Sequence, residues 1–210
     1  FATSCPMNPN PTIPTVLQMD YTRAGGFFTA PFPNEDLRRP DGHVDLSRFP
    51  GRGKASIVDA ALAQLSLDAR GFSTTAGVFF SASARLDPGT FPATAAASTL
   101  ADATVYLVDV DPASPSVGRR VPVDVAILDD GGPFGAANLL SLVPYQGVPL
   151  RPSTLYAGVV TSGVRDAAGK PLGASASLRA LLKGEAPYGL GPAAAAVRGR
   201  LGRSRRAAPS

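Results

Sequence analysis

PLRPSTLYAGVVTSGVRDAAGKPL, residues 149–172, sets turn chemistry on either side of one β-prone run. Pro149 and Pro152 bracket an exposed corner, because proline fixes φ and brings no amide hydrogen to a ladder. Leu155 to Thr161 (LYAGVVT) then forms a β-prone run with Tyr156, Val159 and Val160 as its bulky members. Asp166 to Pro171 carries the Asp, Gly and Pro chemistry of a tight reversal, and Leu172 opens the return. A turn, a buried strand, a second turn and a β-return describe the edge of a β-sandwich. The stretch holds no obvious catalytic group.

The rest of the chain agrees. Its 210 residues suffice for one large or two small domains with a real core. The 22 glycines and 21 prolines are about double average usage, and many separate short apolar runs. That punctuation favours a turn-rich β fold over a helical bundle. Predicted strands are Val78 to Phe80, Thr104 to Val110, Arg120 to Leu128, Asn138 to Tyr145 and Leu155 to Thr161. Thr104 to Val110 (TVYLVDV) is apolar on both alternating faces, which predicts a central strand buried on both sides. Turns at this spacing without intervening helices predict a mainly β protein, an antiparallel Ig-like β-sandwich with one or two short helices.

The helices are expected at two places. Ser56 reads as an N-cap with Asp59 three positions on, a capping-box-like start. Ile57, Ala61 and Leu65 repeat at helical spacing beside Val58 and Leu62, giving one apolar face. Ser175 to Lys183 is the second, shorter candidate. The domain plan is an extended lead-in over 1–20, one sandwich domain over 21–185 and a basic, disordered tail over 186–210.

Charge excludes one class of partner. Of 20 basic residues, five arginines (Arg198, Arg200, Arg203, Arg205, Arg206) lie in the last thirteen positions, which leaves 15 basic against 16 acidic residues elsewhere. The folded part therefore has no charge excess with which to attract nucleic acid. A single cysteine, Cys5, rules out an intrachain disulfide, and no run reaches the roughly 18 apolar residues of a membrane span. Phe1-Ala2-Thr3-Ser4-Cys5 resembles the end of a bacterial lipoprotein signal, with Ala2 where Leu is usual. That likeness makes Cys5 the candidate lipidation site and the only expected route to a membrane.

Two stretches carry a family resemblance. APFPNEDLRRPDGHVDLSRFP, from Ala30 to Pro50, resembles the start of the N-terminal domain of bacterial virulence-factor lipases. The 149–172 stretch is similar to the strand-turn-strand that closes bacterial Ig-like (S-layer type) domains of secreted hydrolases. LVDVDPASPSVGRRVPV, from Leu107 to Val123, fits between them in order. The resemblance spans roughly residues 20–185 and implies a secreted or cell-envelope protein whose sandwich adjoins another domain of a larger parent. In the lipases that other domain is an α/β-hydrolase. The chain is thus expected to be a non-catalytic accessory module, with an N-terminal lipase or esterase fragment lacking its hydrolase domain as the alternative.

Chemistry-bearing residues are sparse. No G-x-S-x-G elbow of an α/β-hydrolase occurs. The one imidazole, His43, sits in the turn Asp41-Gly42-His43 and reads as structural, with Ser47 and Ser56 in a loop and a helix cap rather than on an elbow. One cysteine and one histidine cannot make a structural zinc site. Asp109-Val110-Asp111 and Asp129-Asp130 sit at predicted strand ends, where oxygen ligands for calcium are often found, but they read as solvated turn carboxylates. Glu35, Asp36, Asp41 and Asp45 lie beside Arg38, Arg39 and Arg48 and read as salt-bridged loop residues. Gly51-Arg52-Gly53-Lys54 lacks the spacing and preceding strand of a phosphate loop. No catalytic, cofactor-binding or metal residue is assigned, and no cofactor is expected.

Overall fold

The computed structural model describes residues 14–190. Among them are two α-helices, α1 (Ser56–Asp68) and α2 (Ala176–Leu182), and six strands: β1 (Val78–Ser81), β2 (Val105–Asp109), β3 (Arg120–Val121), β4 (Val123–Leu128), β5 (Leu139–Pro144) and β6 (Tyr156–Val160). The strands form two three-stranded antiparallel sheets, ordered β1-β5-β4 and β3-β2-β6. The mainly β, antiparallel expectation with two short helices is what the described residues show.

Pro122 divides the sheets. The sequence predicts one strand from Arg120 to Leu128, but β3 pairs with β2 in one sheet and β4 pairs with β5 in the other. Proline cannot donate to a ladder, so the chain leaves the first sheet there and enters the second at Val123. The Pro122 carbonyl accepts from Tyr145 N at 2.9 Å. The Val123 amide donates to Ser98 Oγ at 3.0 Å, and that hydroxyl donates to Ala95 O at 2.7 Å. A buried serine thus completes the backbone bonding at the crossing.

One core lies where both sheets meet. Val105 and Leu107 of β2, Val123 of β4, and Leu140 and Leu142 of β5 are buried together with Ala82, Leu86 and Val164. Alternation places these residues on one face of each strand. Gly158 on β6 keeps this contact close: a Cβ added there would lie 3.1 Å from the Phe80 ring of β1.

A second core, on the other face of β1 and β5, gathers Phe27, Phe28, Leu37, Val44, Leu46, Leu62 and Leu139, with Phe32, Phe49, Phe72 and Phe79 packed on it. The rings contact edge-on, for example Phe27 with Phe28 at 5.2 Å and 89°. The strand buried on both faces is therefore β5, which has five buried residues out of six, rather than β2. On β2 only Val105, Leu107 and Asp109 are buried, while Tyr106 and Val108 are half-buried, with the Arg120 guanidinium stacked 3.6 Å from the Tyr106 ring.

Helix α1 also differs from its expected orientation. Ala55 occupies the N-cap without a side-chain bond, and Asp59 instead accepts from Gly53 N at 3.0 Å, so no capping box forms. Of the expected face, Val58 and Leu62 pack in the second core, with Leu62 4% exposed, while Ile57 and Leu65 turn outward at 78% and 48% exposed. The apolar residues of α1 encircle it, so their spacing does not select a face. Helix α2 lies within the expected span 175–183, and Ser175 caps it: its Oγ accepts from Leu178 N at 3.2 Å.

Short bridges tie the lead-in to this frame. Val16 pairs with Gly173 and Leu17 with Ala82. At the other end Pro187 is buried, and Gly189 lies against Tyr21 and Thr22.

Candidate functional site

The polar groups singled out in the sequence do not converge. His43 Nδ1 lies 3.3 Å from Asp41 in an isolated turn, and its amide donates to the same carboxylate. Glu35 pairs with Arg38 at 3.3 Å and Asp45 with Arg39 at 3.4 Å, both at the surface. Backbone bonding from His43, with weaker help from its ring and Arg39, holds the Asp41 carboxyl below its usual range. Ser47 donates its amide to Asp45, and Ser56 starts α1. Cys5 lies outside the described residues. Among the described residues no three His, Cys, Asp or Glu side chains gather in a way that could hold a metal ion.

Asp36 has a partner that sequence proximity does not suggest. The Arg23 guanidinium holds both its oxygens at 3.1 Å, and both side chains are 4% exposed. The same guanidinium donates to the carbonyls of Phe27, Ala30 and Pro31 and stacks on the Phe27 ring. It therefore pins the turn that delivers three phenylalanines to the second core. Burial pushes the Asp36 carboxyl up against the pull of Arg23, and burial with the Asp36 charge pushes the Tyr21 phenol up. Nothing local in Tyr21-Thr22-Arg23-Ala24 signals this role.

Asp109 and Asp166 are also internal. Asp109 is 2% exposed, so it is not a solvated turn carboxylate. It accepts from the hydroxyls of Ser114 and Ser116 and from Asp111 N. Desolvation pushes its carboxyl up, but these bonds and the Arg151 charge outweigh that and hold it low. Asp129 is the solvated case, paired with Arg85 at 3.0 Å on the surface. In the reversal read from the sequence, Asp166 Oδ1 accepts from Ala168 N and Lys170 N, and Oδ2 from Thr15 Oγ1.

A concave feature among the described residues lies elsewhere. A cleft of about 810 Å³ runs from the β6 edge to the segment Pro31–Arg38, with Tyr21, Phe72 and Phe80 in its walls and Leu190 at its margin. Its volume falls in the range of small-ligand sites. Arg38, Arg70 and Arg151 reach it, against Glu35 and Asp111. Asp111 is engaged: its oxygens accept from Ala113 N at 3.0 Å and Leu155 N at 3.3 Å. Arg70 and Arg151 have no carboxylate at ion-pair distance among the described residues. They lie far apart in the chain, one after α1 and one in the proline corner before β6, so only the tertiary fold reveals that they share a cleft.

No helix among the described residues is long and apolar enough to cross a membrane. No family model matches this chain, and no match is found among the curated proteins or the solved structures.

Proposed function

We propose that the chain is a non-catalytic accessory or structural module, an Ig-like β-sandwich of a secreted or envelope-associated bacterial protein. The observation that carries this reading is where its buried polar groups are spent. Arg23, Asp36, Asp109 and Asp166 each bond loop backbone or one another. No buried side-chain nitrogen or oxygen among the described residues lacks a hydrogen-bond partner. A catalytic site keeps polar groups poised for substrate, whereas these are consumed in holding loops. The likeness of residues 30–50 and 149–172 to the lipase N-terminal domain and bacterial Ig-like units supports the same reading. Such a module would position or shield an adjacent domain of its parent.

The test is an assay of the purified chain on p-nitrophenyl acetate and butyrate beside its circular dichroism spectrum. A β-rich spectrum with turnover no faster than buffer is expected. Turnover abolished by a serine-directed phosphonate would sink the proposal. The same resemblance supports a second reading, an N-terminal piece of a lipase or esterase, for which an in-frame G-x-S-x-G segment downstream in the coding sequence is the deciding observation.

A further inference from the structure

The outer edge of β6 is an open strand edge set in the wall of the cleft. β6 pairs with β2 so that Ala157 faces Val108 and Val159 faces Tyr106. Flanking bonds run from Val110 N to Leu155 O at 2.9 Å and from Thr161 N to Thr104 O at 2.8 Å. Hydrogen-bonded positions alternate along an antiparallel ladder. Leu155, Ala157, Val159 and Thr161 therefore direct their backbone groups to β2, and Tyr156, Gly158 and Val160 direct theirs away from it. Among the described residues β6 has no second strand neighbour, and no bridge or backbone bond reaches those three.

The neighbouring edge is treated differently. β1 also ends its sheet, but Phe32 exchanges backbone bonds with Phe79 at 3.1 and 2.6 Å, and Gln18 N donates to Ser81 O at 2.8 Å. Short segments thus cover β1, while Tyr156, Ala157 and Gly158 line open space. An uncovered edge is a template for another strand.

Charge says what kind of strand. Glu35 is paired with Arg38, and Asp111 keeps its charge, so Arg38, Arg70 and Arg151 against Glu35 and Asp111 leave the cleft net positive. Arg70 and Arg151 lie outside the ion pairs found among the described residues, and Arg151 also acts on Asp109. Phe72 and Leu150 lie on its apolar walls. We propose that the β6 edge accepts an extended polypeptide segment as an added strand, apolar in its middle and acidic at its flanks, with Arg70 and Arg151 meeting the carboxylates. This deepens the accessory-module reading by naming what the module takes from its neighbour, and its failure leaves the expectation of no turnover to be tested separately.

The probe is the peptide acetyl-Glu-Val-Thr-Val-Thr-Val-Glu-amide, titrated into the full chain labelled with nitrogen-15. The amides of Tyr156, Gly158 and Val160 are expected to shift and to exchange about tenfold more slowly when the peptide is bound. Methylating every Val and Thr amide of the peptide should weaken binding at least about tenfold, because main-chain bonds supply the affinity. The double variant Arg70→Glu with Arg151→Glu, both at exposed positions, should weaken it about threefold or more in low salt and less in high salt. The proposal is overturned by unmoved β6 amides at millimolar peptide, by equal binding of the methylated peptide, or by protection that falls on β4 instead.

Discussion

The Thr15 hydroxyl donates a 2.8 Å hydrogen bond to Asp166 Oδ2, joining positions 151 residues apart. Both side chains are buried. The bond sits beside two backbone connections of the same region, Gly173 N to Thr15 O at 2.8 Å and the Val16–Gly173 bridge. The lead-in is therefore stitched to the reversal after β6. Thr15→Val keeps the shape but removes the donor, leaving one carboxylate oxygen short of a partner. A loss of about 1–3 kcal/mol is expected in urea unfolding, and an unchanged midpoint would show that the stitch carries no weight.

The same carboxylate sets an acid limit. Burial pushes the Asp166 carboxyl up, but the bonds from Lys170 N, Thr15 and Ala168 N, with the Lys170 charge, outweigh it and hold the carboxyl below its ordinary value. Asp109 shifts in the same direction. A carboxylate whose folded pKa is depressed contributes stability that is fully present above its unfolded value, about 3.9, and is lost as pH falls through the folded one. Melting temperature should therefore drop between about pH 4 and pH 2. Asp166→Asn should lower the melting temperature at neutral pH and flatten that drop. Parallel wild-type and variant profiles would refute the assignment.

Arg23 binds the buried Asp36 carboxylate and three backbone carbonyls with one guanidinium. Its φ of 53° is left-handed, so Arg23→Gly removes the guanidinium without adding backbone strain. Asp36 is then left buried and unpaired, for which roughly 3–5 kcal/mol is expected. Loss of near-ultraviolet aromatic signal should accompany it, because Phe27 and Phe28 depend on the pinned turn. The double variant Arg23→Gly with Asp36→Leu should recover part of the loss.

Helix α1 separates apolar composition from burial. Leu62→Ala should cost about 2–5 kcal/mol, the range for a buried leucine. Ile57→Ala, at a position 78% exposed, should stay within about 0.5 kcal/mol. Equal effects of the two substitutions, measured by denaturant unfolding, would restore the stripe read from spacing.

Much of the β architecture was legible. Val78 to Phe80, Asn138 to Tyr145 and Leu155 to Thr161 each contain or overlap an observed strand, because β-branched and apolar runs bounded by Pro, Gly and Asp act locally. The reversal at Asp166 was legible for the same reason: its bonds to Ala168 and Lys170 span few residues. The division of Arg120 to Leu128 at Pro122 also had a local signal, the missing amide. The cleft was not legible, since Arg70, Arg151 and the β6 edge approach one another only through the fold.

The rough positions of the strands, the turns between them and the two helices could be read from the chain alone, since those follow from dihedral preference and short-range hydrogen bonding. Tertiary structure alone decided which faces are buried. It placed a phenylalanine cluster behind β5, so that strand rather than β2 is covered on both sides. It turned Ile57 outward, paired Arg23 with Asp36 and left β6 without a second strand neighbour among the described residues. Burial and ion pairing depend on which distant segments share a volume, and apolar spacing along one segment does not encode that.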